Sequence, residues 1–197
     1  MPADRFFLLN PDRITNADFF GVSCTSGILT TIAAGSSTAG HLFAARFATS
    51  GSKLFHVTRL RLLWQTVAGF TSAQEVAFSA FKLTGYSAAH TGGTAITPLP
   101  LAPGYAASQL ACRIGDTAAL TAGTQTIGAQ LLHGGFSELA AAATVQKGFV
   151  DEETLASLHP ITVLGNNEGI LIRNEVLQGA GGTGRLTVEL DGYERAA

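Results

Sequence analysis

The sequence predicts an all-β protein, an antiparallel sandwich or barrel of about eight short strands. Three observations carry this. Segments 54–67, 75–86 and 185–193 alternate with a period of two and are rich in β-branched and aromatic residues. Gly, Pro, Ser and Thr punctuate the intervals between short apolar runs. Strands do not alternate with long amphipathic helices, as a parallel sheet would require.

Taken in chain order, residues 1–40 are expected to form an N-terminal arm and first strands, and 41–197 the β-sandwich domain. The arm includes Asn10-Pro11-Asp12, and residues 15–20 (TNADFF) suit one turn of helix. Strands are expected at 28–34 (ILTTIAA) and 40–48 (GHLFAARFA). In 54–67 (LFHVTRLRLLWQTV), Thr58, Leu60, Leu62 and Trp64 share one parity, while Val57, Arg59, Arg61, Leu63 and Gln65 share the other. The leucines and Trp64 therefore face a core, and the arginines face water or a partner. The segment 68–74 suits a hairpin or a corner. In 75–86 (EVAFSAFKLTGY), Val76, Phe78 and Ala80 alternate with Ala77, Ser79, Phe81 and Leu83.

Residues 87–108 hold three prolines and three glycines and are expected as a long loop, as are the Thr/Ala/Gly-rich residues 116–136. Further strands are expected at 109–115 and 160–165, and 137–145 reads as loop or helix. A minor short helix is expected near 151–158 (DEETLASL). Asp151 can cap it, Glu152 and Glu153 suit its first turn, and His159 before Pro160 ends it. Finally, 169–177 and 185–193 read as a hairpin. Ile170, Ile172, Leu186, Val188 and Leu190 point inward, and four glycines in 178–184 make the turn. Arg173 and Glu175 would then face Glu189 and Arg185 across the pair.

Composition narrows the functional classes. Only 13% of the 197 residues are charged, against roughly 25% in an ordinary soluble domain. Such a surface is dominated by small residues or is covered in an assembly. The net charge of −2 gives no global attraction to nucleic acid or membrane surfaces, and neither is expected as a partner. Apolar runs are broken well short of a membrane span, and Phe6 to Leu9 is too short for a secretory core. The expectation is a soluble chain made in the cytoplasm. Cys24 and Cys112 lack a CxxC partner and read as buried thiols, although pairing stays open.

No catalytic, cofactor-binding or metal-ligating set is expected, and no cofactor. His41, His56, His90, His133 and His159 lack metal-ligand spacing, although His41 and His56 both begin strand-like runs and could meet in space. Cys112 sits beside Arg113, which can lower a thiol pKa, but has no nearby histidine in the chain. Gly179, Gly181 and Gly184 match GxGxxG, yet a strand follows where a phosphate loop needs a helix. Asn166 to Gly169 reads as a turn rather than a calcium loop. Asp151, Glu152 and Glu153 are explained by capping, and nothing selects Glu168 with Glu189 as a glycosidase pair. Lys53, Arg59 and Arg61 are too few cations for nucleic-acid binding. Were the chain an enzyme, His41, His56 and Glu168 would be the first residues to test. Tyr86, Tyr105 and Phe136 are candidate exposed aromatics for a glycan site.

Several segments carry a resemblance. NEGILIRNEVLQGAGGTGRLTVELDGYER (167–195), HLFAARFA (41–48), VTRLRLLWQTVAGFTSAQEVAFSAF (57–81) and RIGDTAALTAG (113–123) resemble structural proteins of tailed bacteriophages. The chain is most similar in texture to small jelly-roll capsid decoration, or cement, proteins. The resemblance implies a virion protein on the capsid surface, a jelly-roll sandwich that forms a homotrimer or bridges major capsid protein subunits. The N-terminal arm would reach a neighbouring subunit. The alternatives are another virion component, such as a head fibre, tail or baseplate protein, or a carbohydrate-binding jelly roll for host attachment.

Overall fold

The computed structural model describes residues 17–30, 40–49, 51–138, 147–154, 160–178 and 181–197. Among these, the chain forms strands β1 (Asp18–Thr25), β2 (His41–Phe47), β3 (Lys53–Ala68), β4 (Gln74–Ala88), β5 (Thr94–Ile96) and β6 (Leu99–Pro100). They are followed by β7 (Leu110–Ile114), β8 (Thr124–Glu138), β9 (Lys147–Thr154), β10 (Thr162–Leu164), β11 (Glu168–Asn174) and β12 (Thr183–Ala196). The first sheet runs β10-β3-β12-β1-β6, with β9 also on β3; the second runs β5-β7-β2-β11-β4-β8. The two sheets pack face to face, so the expected all-β sandwich is the observed architecture.

The alternating residues of both sheets meet in one core. Phe20, Val22, Leu60, Leu62, Trp64, Leu186, Val188 and Leu190 come from the first sheet. Phe43, Ala45, Phe47, Val76, Phe78, Ile170 and Ile172 come from the second. Trp64 lies at the centre, fully buried and tilted against Phe78 with ring centroids 5.2 Å apart. Its indole N–H donates to Thr66 Oγ1, and Thr66 donates to the Glu138 carboxylate, so the ring brings no unpaired donor into the core.

A bulge changes the parity expected for β3. Arg59 pairs with Asp191 and Val57 with Gly192, which leaves Thr58 as an extra residue. Thr58 turns its hydroxyl to the Asp191 carbonyl. Phe55 and Val57 consequently face the core together with Leu60 and Leu62, although the uninterrupted alternation had assigned Val57 to the arginine face. The segment 68–74 is a corner, since β3 and β4 lie in different sheets.

The expected hairpin of 169–177 with 185–193 does not form. Strand β11 pairs with β2 and β4, and β12 pairs with β3 and β1 in the other sheet. Burial explains the separation. Gly169, Ile170, Leu171 and Ile172 are all buried, so β11 needs cover on both faces and partners on both edges. The glycine-rich link is a crossover between sheets. Gly181 adopts φ +87° there, a conformation that suits glycine. Arg173 accordingly bonds Glu175 on its own segment, and Glu189 bonds Arg59 and Arg61.

Further expectations change, among them the loop expected over 87–108, which holds the short strands β5 and β6. Residues 151–154 belong to strand β9, not to a helix near 151–158, and 155–159 lie outside the described residues. Strand β3 offers a free edge along Arg59–Gln65, and a two-turn helix is too short to compete with a ladder of that length. Asp18 to Phe20 are strand where a helical turn was expected, paired with Tyr193 and its neighbours. Within 116–136, Thr124 onward is the long strand β8 rather than loop, held to β4 by backbone pairing. Of the expected strand 28–34, Leu29 makes a bridge to Gly184, and 31–34 lie outside the described residues.

Candidate assembly surface and histidine network

Sheet edges are where a β-sandwich invites pairing, and charged residues are the usual means of blocking it. In this chain, residues 83–137 contain only two formally charged residues, Arg113 and Asp116. That segment supplies β5 and β6 and all of β8 except Glu138. Strands β5 and β8 are the two edges of the second sheet, and β6 is one edge of the first. Among the described residues, three of the four sheet edges are thus built from nearly uncharged chain. The β6 edge is also apolar: Leu99 and Leu101 are 67% and 63% exposed on either side of Pro100. Its inner side is secured to β1 through Phe20–Pro100 and Gly21–Leu99 pairing and the Leu101 N–H to Phe19 carbonyl bond.

The segment after β6 is anchored from below. Glu194, 1% exposed, accepts hydrogen bonds from the Ser108 hydroxyl and the Gln109 N–H, and sits 3.7 Å from Lys53 Nζ. Replacing Glu194 with alanine leaves Lys53 with Asp18 alone and removes the anchor at Ser108 and Gln109. The expected loss is about 2 kcal/mol of stability by thermal melting, with new chymotryptic cleavage after Tyr105 on limited proteolysis.

The outer face of the first sheet is a charge ladder. Arg59 bonds Glu189 at 2.8 Å and Asp191 at 3.4 Å, and Arg61 reaches Glu189. Lys53 lies between Asp18 and Glu194. The basic group noted in the sequence is therefore neutralised by its own sheet. Beside it, His56 stacks on Tyr193 at 4.6 Å, and Tyr193 meets Phe19.

His41 and His56 do not meet, since they lie in different sheets. His41 instead meets His90, with Nδ1 and Nε2 separated by 2.9 Å. His90 Nδ1 lies 2.5 Å from Tyr86 Oη, and the His90 backbone N–H donates to the same oxygen. All three residues are buried, so Tyr86 is not an exposed aromatic. Burial pushes the pKa of each imidazole down to about 4, helped by Arg173 for His41 and by His41 for His90. Burial likewise raises the Tyr86 phenol. This three-residue network is thus neutral at pH 7, and Tyr86 packs with Leu83 and Leu171 in a second small cluster. Arg46 donates to the Tyr86 carbonyl and to Asn167 Oδ1. The partnership of His41 with His90 had no local sequence signal, because 49 residues separate them.

The remaining candidates have structural roles. Glu168 bonds Lys82 at 2.9 Å and the Gly165 N–H, so it closes the turn at Asn166–Asn167. Asn167 adopts φ +58° there. Glu168 and Glu189 belong to different sheets. Cys24 and Cys112 are both free and buried, and burial pushes the Cys24 thiol up to about 12. Phe136 packs against the core, and Tyr105 is half-buried after β6. Gly182 and Gly184 serve packing: a Cβ on Gly182 would meet the Phe70 ring, and one on Gly184 the Trp64 ring. His133 hydrogen-bonds Ser79, and His159 lies outside the described residues. Among the described residues, no group of three or more His, Cys, Asp or Glu side chains gathers at a metal-sized site.

Comparison of the chain with protein-family models, curated proteins and solved structures gives no match.

Proposed function

We propose that this chain is a tailed-phage virion structural protein of the jelly-roll capsid decoration type. It stabilises the head by packing on the outer shell between major capsid protein subunits and against copies of itself. The observation that carries this reading is the uncharged character of three of the four sheet edges, with Leu99 and Leu101 exposed on one of them. Edges of this kind favour pairing and close packing, whereas a monomer in solution guards its edges with charge. An assembled shell also multiplies a modest contact many times over, so each interface need not be strong on its own. A closed trimer at a threefold position suits a small symmetric adaptor.

The test is cryo-electron microscopy of heads assembled from the major capsid protein with and without this chain. The expected result is added density for a two-sheet sandwich on the outer surface, with the β6 edge facing a neighbour. The Leu99→Asp, Leu101→Asp double variant should fold, with its melting temperature nearly unchanged because both side chains are exposed. It should bind heads at least tenfold more weakly in co-sedimentation. A chain that stays monomeric in light scattering and never associates with heads overturns the reading. Density on the tail or baseplate of whole virions imaged alongside instead assigns it to another part of the virion.

A further inference from the structure

A hollow lies over β2, β7 and β5 of the second sheet and reaches Thr97 and Pro98 just before β6. Its floor is made of small side chains: Ala44 on β2, Ala95 on β5 and Ala111 on β7. The registers Ala44–Arg113 and Ala95–Arg113 place these strands side by side, so small residues on adjacent strands leave a depression. Tyr86 and His90 also line it, and Arg113 rises from β7 between Ala44 and Ala95. The cavity volume is about 370 Å³, within the range of small-ligand sites.

The chemistry of the lining is one-sided. Arg113 is its only formally charged residue, and no carboxylate lines it. Arg113 spends Nε on the Gly92 carbonyl at 2.9 Å, which fixes the plane of the guanidinium. Its two terminal nitrogens make no bond to the described residues. That fork matches a carboxylate in a bidentate manner. Tyr86 and His90 satisfy each other and are almost fully buried, so they add no competing charge at neutral pH. The alanine floor excludes little volume and accepts an apolar or flat body.

We propose that this hollow binds a compact organic carboxylate, its acid group on Arg113 and its body over Ala44, Ala95 and Ala111. The acid can be a free metabolite or the terminal sugar acid of a glycan; the recognition chemistry is the same. This site borders the β5 edge used in the assembly reading, but its test reads ligand binding by the isolated chain and so fails separately from head binding.

The experiment is a titration of the full-length, isotopically labelled protein with benzoate, followed by amide NMR shifts. Benzamide is the neutral control, and N-acetylneuraminic acid is the glycan arm. Saturable shifts at Ala44, Ala111 and Arg113 are expected with benzoate, and binding of benzamide should be at least tenfold weaker. Arg113→Gln should weaken benzoate at least tenfold, and Ala111→Leu should abolish it by filling the floor. Unchanged melting temperatures for both variants confirm that the fold persists; if Ala111→Leu is destabilised, Ala95→Val with Arg113→Gln serves in its place. Saturable binding of N-acetylneuraminic acid at the same amides, lost in Arg113→Gln, assigns the site to glycans. Binding of benzoate alone assigns it to free acids. No saturable shift with either acid, or equal affinity for benzoate and benzamide, overturns the proposal.

Discussion

Gly184→Ala will destabilise the sandwich by about 3 kcal/mol, which for a chain of this size lowers the melting temperature by roughly 6–12 °C. The reason is local and steric. Gly184 pairs with Thr66, and a Cβ added to it would lie 2.0 Å from Trp64 Cζ2. Trp64 cannot retreat easily, since its ring is fully buried, touches Phe78 and is tethered through Nε1 to Thr66. Trp64→Leu alone should cost about 3 kcal/mol by leaving a cavity and the Thr66–Glu138 pair without its donor. The two changes share one volume, so they should not add. In the double variant the alanine methyl occupies space the indole has vacated, and the total loss should fall at least 1 kcal/mol short of the sum. Chemical denaturation of the four proteins reads this directly. Strict additivity would show that Gly184 is required for backbone conformation and not for the close approach of the ring.

Acid will unfold this protein earlier than its few carboxylates suggest. The pKa of His41 and of His90 is held down to about 4 in the folded chain, against an ordinary value of 6.5. A depressed pKa means that the unfolded chain binds more protons between these values. Stability is therefore full above pH 6.5 and is lost as pH falls toward 4. The first of the pair to charge contributes a loss of about 3 kcal/mol across that window. Repulsion between the rings holds the second pKa down, so that ring adds to the loss as well. Burial lowers the His56 pKa too, with Arg195 nearby, and adds in the same direction. Glu138 works the opposite way: burial raises its pKa, so its contribution is lost as pH rises through that raised value. Arg173 lies beside His41, Tyr86 bonds His90, Arg46 lies over the Tyr86 ring, and Arg113 lines the same hollow as His90. Denaturant midpoints measured from pH 4.5 to 8 should be flat above 6.5 and fall below it. His90→Gln should remove part of the slope even if it lowers the plateau. An unchanged slope in that variant would place the acid response elsewhere.

Much of the architecture was legible in the residues. Leu60, Leu62 and Trp64 on β3, and Leu186, Val188 and Leu190 on β12, show their inward faces by alternation alone, because successive side chains of a strand point to opposite sides. The turn at Asn166–Asn167 was likewise visible in its residue types. Strand β8 was not: Gly128, Gly134 and Gly135 and a scatter of Ala and Thr weaken both propensity and alternation, and its strand conformation comes from the backbone ladder with β4.

The sequence by itself determined that this is an all-β chain, poor in charge, with a leucine-and-aromatic core and a long nearly neutral stretch from 83 to 137. Only the tertiary structure decided how those strands were shared out. It placed β11 and β12 in different sheets, set the bulge at Thr58, and brought His41 to His90. It also put the neutral stretch on three of the four edges. Alternation is a local property of one strand, whereas partner choice depends on which distant edges and faces remain to be covered. That competition is decided by the whole core and cannot be read from any one segment.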